Sequence, residues 1–224
     1  MGPTHRSDIR RRFVGIDTSN VADVLDELGL TEQGLSGDFV PFPATAGKLA
    51  GWAYTIRGQM VPYEGTGDAA KMDAANGMGP DEVSVWSGDG HGICYFGELI
   101  ALGMKEAGSV GALVSGGIRD IRWIGEMGFP VYARYRTPVQ SIGRWRVTAC
   151  QESVYMPGAT SEWVRVMPGD FILGDEDGVI VIPQDVTETV LERAETLTAT
   201  ERRIRADVSA GLSLQQALQK YGHV

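Results

Sequence analysis

The sequence is short of cysteine, and the two it has carry no recognisable pattern. Cys94 and Cys150 stand alone among 224 residues, outside any CxxC pair and away from other residues at metal-ligand spacing. This excludes a disulfide framework and a zinc site. We expect two buried or half-buried thiols with no catalytic role.

The chain also lacks long apolar runs. Residues 1–12 are basic and polar and have no apolar core of the kind a signal peptide requires, so we expect none. No apolar stretch reaches the roughly 20 residues needed to cross a bilayer. We therefore expect a cytoplasmic protein with no membrane partner.

Basic residues are in the minority. The chain has 20 Lys and Arg against 29 Asp and Glu, a formal net charge of −9. Nucleic-acid binding needs clustered cations against phosphates, so we expect no nucleic-acid partner. An anionic ligand would need a local cationic pocket, which makes an arginine set among glycines a feature of interest.

What the chain does have is glycine, proline and short apolar runs. Thirty glycines and ten prolines are spread along it, and 43% of its residues are hydrophobic, which is enough for a packed core. Helical patterns at the start, middle and end alternate with short strands, which predicts an α/β fold in one domain, residues 1–224. Residues 186–221 read as one or two amphipathic helices broken at Gly211, and we expect them to pack on a neighbouring subunit.

One group of residues could carry chemistry. Gly97 and Glu98 open a predicted helix, Glu98–Glu106, and twenty residues separate Glu98 from the pair Arg119-Asp120. Glycine allows close backbone approach, and amides at a helix start attract a carboxylate. Arginine offers paired donors to carboxylate or enolate oxygens, and carboxylates suit Mg²⁺ or Mn²⁺.

The residues alone leave a plainer reading open. A buried strand is predicted at Val110–Val114, followed directly by a turn at Ser115–Asp120. An Arg-Asp pair in an ordinary strand-to-helix turn, with Glu98 an exposed helix residue, would have the same spacing. His91, a few residues before Gly97, either lines the same cavity as an acid or base or lies in an exposed loop.

Four segments resemble the RraA-like family over nearly the full chain. That family contains class II 4-hydroxy-4-methyl-2-oxoglutarate and 4-carboxy-4-hydroxy-2-oxoadipate aldolases, and a protein regulator of ribonuclease E. The acid-X20-Arg-Asp spacing is typical of its catalytic members. The segments are FGE (96–98), GALVSGGIRD (111–120), FPV (129–131) and GDFILGDEDGVIVIP (169–183).

The resemblance implies roles for single residues. The backbone amides of Gly97, Glu98, Leu99 and Ile100 would bind the pyruvyl part of the substrate. Arg119 would bind the substrate oxygens and steady the enolate, and Asp120 would hold the metal. Glu98 would orient the metal's waters. Glu201 is similar to a glutamate that reaches the site from a neighbouring subunit, although Glu195 on the same helix is an alternative.

The resemblance also implies a swivelling β/β/α four-layer sandwich that assembles as a homotrimer or homohexamer. The implied activity is a metal-dependent lyase, with Mg²⁺ or Mn²⁺, that cleaves a 4-hydroxy-2-oxo dicarboxylic acid to pyruvate and also decarboxylates oxaloacetate. The alternatives are a lyase or decarboxylase on another 2-oxo or sugar acid, and a non-enzymatic ribonuclease-regulating protein.

No lysine chemistry is expected. The chain has four lysines, Lys48, Lys71, Lys105 and Lys220, and none lies in a recognisable apolar pocket pattern. A pyruvate lyase of the metal-dependent kind needs no Schiff base, so we assign these residues no role.

Overall fold

A mixed sheet of nine strands organises the chain, as seen in a computed structural model that describes residues 2–223. Within these residues there are eleven strands, and all but β8 and β9 belong to this sheet. In chain order they are β1 (Val40–Phe42), β2 (Leu49–Met60), β3 (Glu82–Gly88), β4 (Cys94–Phe96), β5 (Gly111–Ile118), β6 (Val131–Arg136), β7 (Trp145–Cys150), β8 (Val154–Pro157), β9 (Trp163–Val166), β10 (Phe171–Asp175) and β11 (Gly178–Ile182). The helices are α1 (Pro3–Phe13), α2 (Thr18–Glu27), α3 (Ala69–Asn76), α4 (Glu98–Glu106), α5 (Ile121–Glu126), α6 (Thr187–Ser209) and α7 (Leu214–Tyr221).

The sheet runs in the order β1-β6-β5-β3-β2-β10-β11, with β4 added on β5 and β7 on β2. Its centre is parallel, since β2, β3, β5 and β6 pair in one direction. β10 joins β2 antiparallel and forms a tight hairpin with β11. The sheet curls into a nearly closed, barrel-like form, and β8 and β9 make a separate two-stranded hairpin.

Alternation along the strands divides the core into layers. Because successive strand side chains point to opposite faces, Leu113 of β5 and Ile172 of β10 share the inner cluster. Their neighbours Val114 and Leu173 face outward, toward two different sets of helices. Helices α3, α4 and α5 cover one outer face, and α1, α2 and α6 cover the other. The predicted α/β fold is confirmed.

The predicted turn at Ser115–Asp120 is wrong in its first part. β5 continues to Ile118, so Gly116 and Gly117 lie inside a buried strand. An aromatic ring packs directly against each of these glycines. A Cβ at Gly116 would lie 2.5 Å from the Tyr95 ring, and a Cβ at Gly117 would lie 2.5 Å from the Tyr135 ring. These glycines therefore make room for neighbouring side chains and do not turn the chain.

The C-terminal helices match their prediction in outline. α6 and α7 are separated at Gly211, which has a φ of +105°, and Ser213 and Gln216 form a capping box at the start of α7. The first half of α6 packs on its own chain through Val190 and Leu191. Packing of this segment on a neighbouring subunit stays a prediction. None of the helices in residues 2–223 combines the length and apolar character required to cross a membrane.

Candidate active site

Arg119 and Asp120 lie where two parallel strands end side by side. β4 and β5 pair in parallel, and β4 leads into α4 while β5 leads through Arg119 and Asp120 into α5. The Arg119 amide donates to the Phe96 carbonyl at 3.1 Å, which ties the two strand ends together. The carboxyl ends of parallel strands are where α/β proteins usually bind ligands.

Asp120 is held in an unusual backbone conformation. Its φ of +61° and ψ of +32° are left-handed, a region that few non-glycine residues occupy, although aspartate tolerates it better than most. Residues in this region are frequent at functional sites; Asp81 and Gln151 share the conformation in this chain and do not line the cavity. The Asp120 carboxylate oxygen Oδ2 accepts the Glu98 amide at 3.3 Å and lies 3.4 Å from Arg119 Nε.

Gly97 makes this contact sterically feasible. A Cβ at this position would lie 2.7 Å from Asp120 Oδ2 and 3.4 Å from Arg119 Cγ. Its backbone is extended, with φ −150° and ψ −178°, a conformation open to any residue. Glycine is therefore required here for space, so that the carboxylate can rest against the start of α4.

The first turn of α4 offers further donors. The amides of Glu98, Leu99 and Ile100 have no acceptor inside the helix, as in any helical first turn. Asp120 takes the Glu98 amide, which leaves those of Leu99 and Ile100 for another anion. Their predicted role in binding the pyruvyl group stays a prediction that this geometry permits.

These residues line a cavity of about 230 Å³. Gly97, Leu99, Ile100, Arg119 and Asp120 contribute to its lining, together with residues from the segments 63–72, 94–96 and 140–142. A larger groove of about 920 Å³ elsewhere contains none of the predicted site residues. In that groove the buried Asp170 already accepts the Met167 and Gln184 amides, so its carboxylate serves the fold.

The profile of the RraA-like family, described as Aldolase/RraA, matches residues 18–181. The chain belongs to this family. Among curated relatives, a protein of Halalkalibacterium halodurans with the name "Putative 4-hydroxy-4-methyl-2-oxoglutarate aldolase" is 30% identical over 219 residues, 96% of each chain.

DlpA of Legionella pneumophila subsp. pneumophila is 29% identical over 220 residues. The match takes in 96% of this chain but 34% of DlpA, so the chain spans about a third of the length of that relative. Among solved structures, Streptomyces coelicolor RraAS2, described as an unusual member of the RNase ES inhibitor RraA protein family, superposes with a TM-score of 0.73. It is 24% identical, and the superposition covers 88% of this chain and 96% of RraAS2. The likeness shows a shared RraA-like fold.

Lys71 was missed by the sequence reasoning, which placed no lysine in an apolar pocket. It lies on α3, lines the cavity together with Arg119, and is 8% exposed. Burial lowers the pKa of Lys71 to about 8, against the opposing effects of Cys94 and Asp68, and the positive charge of Arg119 lowers it further. The available signal was its spacing from Ala74 and Ala75, which places all three on one helix face.

Two predicted acids of the RraA-like site lie elsewhere within one chain. Glu201 on α6 accepts a hydrogen bond from Arg205 at 2.7 Å and does not line the cavity. Its contribution to a neighbouring subunit's site stays a prediction. Glu195 binds Arg12 of α1 through both oxygens, at 2.8 and 2.7 Å, and this pairing lowers the pKa of Glu195. Glu195 therefore joins α1 to α6.

His91 occupies an exposed loop and does not line the cavity. Tyr95 holds that loop in place, since its hydroxyl donates to the Gly90 carbonyl at 2.9 Å. Of the two alternatives left open by the sequence, the structure favours the exposed loop. Cys94 is buried and Cys150 half-buried, as predicted, and Cys94 lines the cavity.

Of the three acids predicted to hold a metal, Asp120 lines the cavity, while Glu98 and Glu201 do not. Within residues 2–223 no three His, Cys, Asp or Glu side chains are grouped closely enough to hold a metal by themselves. Glu98 contacts Asp120 through its backbone amide, and its carboxylate is not part of the cavity lining. Mg²⁺ is commonly bound by one or two carboxylates, with water and substrate completing its octahedron. One carboxylate completed by water and substrate is compatible with this mode of binding, and Mg²⁺ or Mn²⁺ at Asp120 stays a prediction.

Proposed function

We propose that this chain is a divalent-metal-dependent lyase that cleaves a 4-hydroxy-2-oxo dicarboxylic acid and releases pyruvate through its enolate. The observation that carries the proposal is the strained Asp120, whose carboxylate rests on the start of α4 beside Arg119 at the wall of a small cavity. The name of the H. halodurans relative supports the same reaction class.

Arg119 is the main anion-binding group in this proposal. Its guanidinium can offer two parallel donors to the carboxylate and 2-oxo oxygens of the substrate. The free amides of Leu99 and Ile100 lie on the same wall and can share the substrate carboxylate. When the bond between C3 and C4 breaks, its electron pair becomes the pyruvate enolate, and Arg119 stabilises the charge on the enolate oxygen.

Two proton transfers complete the proposed cleavage. The 4-hydroxyl loses its proton and becomes the carbonyl of the second product, and a proton delivered to C3 completes pyruvate. Oxaloacetate would lose carbon dioxide to give the same enolate, so decarboxylation is the expected side activity. Asp120 and Glu98, with Glu201 contributed by a neighbouring subunit of a trimer or hexamer, would hold Mg²⁺ or Mn²⁺. The bound cation would polarise the 2-oxo group as a Lewis acid.

The test is pyruvate release from 4-hydroxy-4-methyl-2-oxoglutarate and from oxaloacetate, with Mg²⁺ and with EDTA. We expect release from both that EDTA abolishes. Arg119→Ala should lower kcat/KM by at least about a hundredfold, the usual effect of removing one such donor. Arg122→Ala is the matched control, because Arg122 is exposed and pairs with Glu126 on the same helix.

Other outcomes separate the alternatives. Release from oxaloacetate alone would indicate a decarboxylase acting on another 2-oxo acid. A ribonuclease regulator that acts by protein contact would release no pyruvate from either acid, and its inhibition would not change in Arg119→Ala. Equal turnover by wild type and Arg119→Ala would contradict the site assignment.

A further inference from the structure

Lys71 is a buried cation without a carboxylate partner. Its Nζ donates to Ser141 Oγ at 3.3 Å, and no carboxylate oxygen in the described part of the chain comes within the 4.0 Å of an ion pair. The neighbouring Asp68 directs Oδ2 to the Val147 amide at 2.7 Å. Burying an ammonium group without a counter-ion is costly, so the fold retains a group that its own contacts do not explain.

The surroundings of Lys71 hold the amine in place without neutralising it. Its Nζ lies 5.6 Å from the ring centroids of Trp86 and of Trp145, both fully buried. Tyr95 stacks on Trp145 at 4.3 Å and lines the same cavity. Aromatic faces attract a cation weakly compared with a carboxylate. The one hydroxyl and two rings position the amine and leave it able to bind an anion.

Lys71 and Arg119 line one cavity of about 230 Å³, in a protein whose net charge is −9. The two cations come from different elements, Lys71 from α3 and Arg119 from the residue that follows β5. A monocarboxylate would satisfy one of them. A short dicarboxylate would satisfy both, and the cavity is of a size for a small acid.

We propose that Lys71 is a second anion-binding residue of this site, which takes the distal carboxylate of a dicarboxylic 2-oxo acid whose 2-oxo end lies on Arg119. The proposal rests on the proposed function for the orientation of the substrate. Lys71 would then determine specificity, because it separates dicarboxylic from monocarboxylic substrates of the same length.

The test compares two acids that differ only at the distal end. 2-Oxoglutarate and 2-oxopentanoate have the same five-carbon chain, and neither has the 4-hydroxyl needed for cleavage. Their binding is measured by titration calorimetry in the presence of Mg²⁺. We expect wild type to bind 2-oxoglutarate at least about tenfold more tightly, as one hydrogen-bonded charge contact allows.

Four variants complete the design. Lys71→Met should remove the preference for 2-oxoglutarate and leave the affinity for 2-oxopentanoate unchanged. Lys71→Arg keeps a positive charge and should retain part of the preference for 2-oxoglutarate. Lys71→Gln removes the charge but can still donate to Ser141, which provides a second neutral variant if Lys71→Met does not fold. Lys105→Met is the matched control, since Lys105 is exposed on α4 and donates to the Met127 carbonyl.

Equal weakening of both acids in Lys71→Met, or no weakening of either, would overturn the proposal. Failure of wild type to prefer 2-oxoglutarate would do the same. Binding needs no turnover, so the outcome is independent of the lyase assay. A Lys71-dependent preference without pyruvate release would overturn the lyase function alone, and pyruvate release without the preference would overturn the role of Lys71 alone.

Discussion

Two regions of the molecule each contain a lysine and an aspartate, and they differ in how fully those groups are bonded. At the β10–β11 hairpin, Asp175 is 5% exposed and accepts the amides of Thr18 and Asp177, at 2.8 and 3.1 Å. Lys48 lies 3.5 Å from it and also donates to the Ile16 carbonyl.

The cavity has the same residue types with far fewer partners. The side chain of Asp120 is 39% exposed, accepts one long hydrogen bond from the Glu98 amide and lies 3.4 Å from Arg119 Nε. Lys71 has Ser141 as its hydrogen-bond partner. Polar groups satisfied by their own chain contribute to stability, and those left with spare capacity in a cavity indicate a ligand. The charges of the hairpin corner are bonded within the chain, and those of the cavity are the ones that we propose bind a ligand.

The largest expected difference between the regions is in activity. Asp120→Asn removes the charge, and asparagine also tolerates the left-handed backbone at this position. We expect kcat/KM for pyruvate release to fall by about 10²–10³-fold, with the free energy of unfolding changed by no more than about 0.5 kcal/mol. Steady-state kinetics and urea denaturation measure the two effects. Near wild-type turnover would remove Asp120 from the site.

The hairpin corner should respond in the opposite way. Asp175→Asn leaves Lys48 with a weaker partner in a largely buried corner, and we expect a loss of about 2–4 kcal/mol in the free energy of unfolding. The kcat/KM of the folded fraction should not change. Urea denaturation and steady-state kinetics on the same preparations measure the two effects. A loss of activity greater than the loss of folded protein would contradict a purely structural role for Asp175.

Gly97→Ala tests the packing of the site. The added methyl would push the Asp120 carboxylate off the start of α4, since their separation would be 2.7 Å, while the extended backbone accommodates alanine. We expect about a tenfold loss in kcat/KM from misplacement of the carboxylate. Gly103→Ala, on the same helix in open space, is the control. Unchanged kinetics in Gly97→Ala would mean that the contact is dispensable.

The smallest expected effect is on stability, and its sign separates the two lysines. Lys71→Met should raise the free energy of unfolding by about 1 kcal/mol at pH 7, because it removes a buried charge without a counter-ion; Lys48→Met should lower it. Burial lowers the pKa of Lys71 to about 8 from 10.5. Between pH 8 and pH 10.5 Lys71 is protonated in the unfolded chain and largely neutral in the folded chain. The free energy of unfolding of the wild type therefore rises with pH over this range.

The gain of Lys71→Met over wild type should therefore be full below pH 8 and shrink above it. Thermal unfolding of both proteins between pH 7 and pH 10 measures this, with Lys105→Met as a control whose difference from wild type should not depend on pH. A Lys71→Met protein less stable than wild type at pH 7 would place Lys71 with Lys48 as a structural residue.

Local patterns predicted much of the fold. The bounds of α4 matched, and the helix break at Gly211 was placed correctly. Arg119 and Asp120 were singled out by their spacing and given roles by the family resemblance; the structure places both in the lining of one cavity, and their roles stay predictions. The turn at Ser115–Asp120 was misplaced because consecutive glycines read as a turn, whereas Gly116 and Gly117 provide space for aromatic rings from other strands.

The sequence by itself determined the α/β class, the acidic surface and the acid-X20-Arg-Asp group, since these depend on composition and on spacing within short segments. Only the tertiary structure decided which charges are left without partners. Lys48 and Lys71 look alike in the sequence, and their difference comes from contacts with residues far along the chain: Asp175 for one, Ser141 and two tryptophans for the other. Burial and ion pairing are set by the packing of distant segments, which local periodicity does not encode.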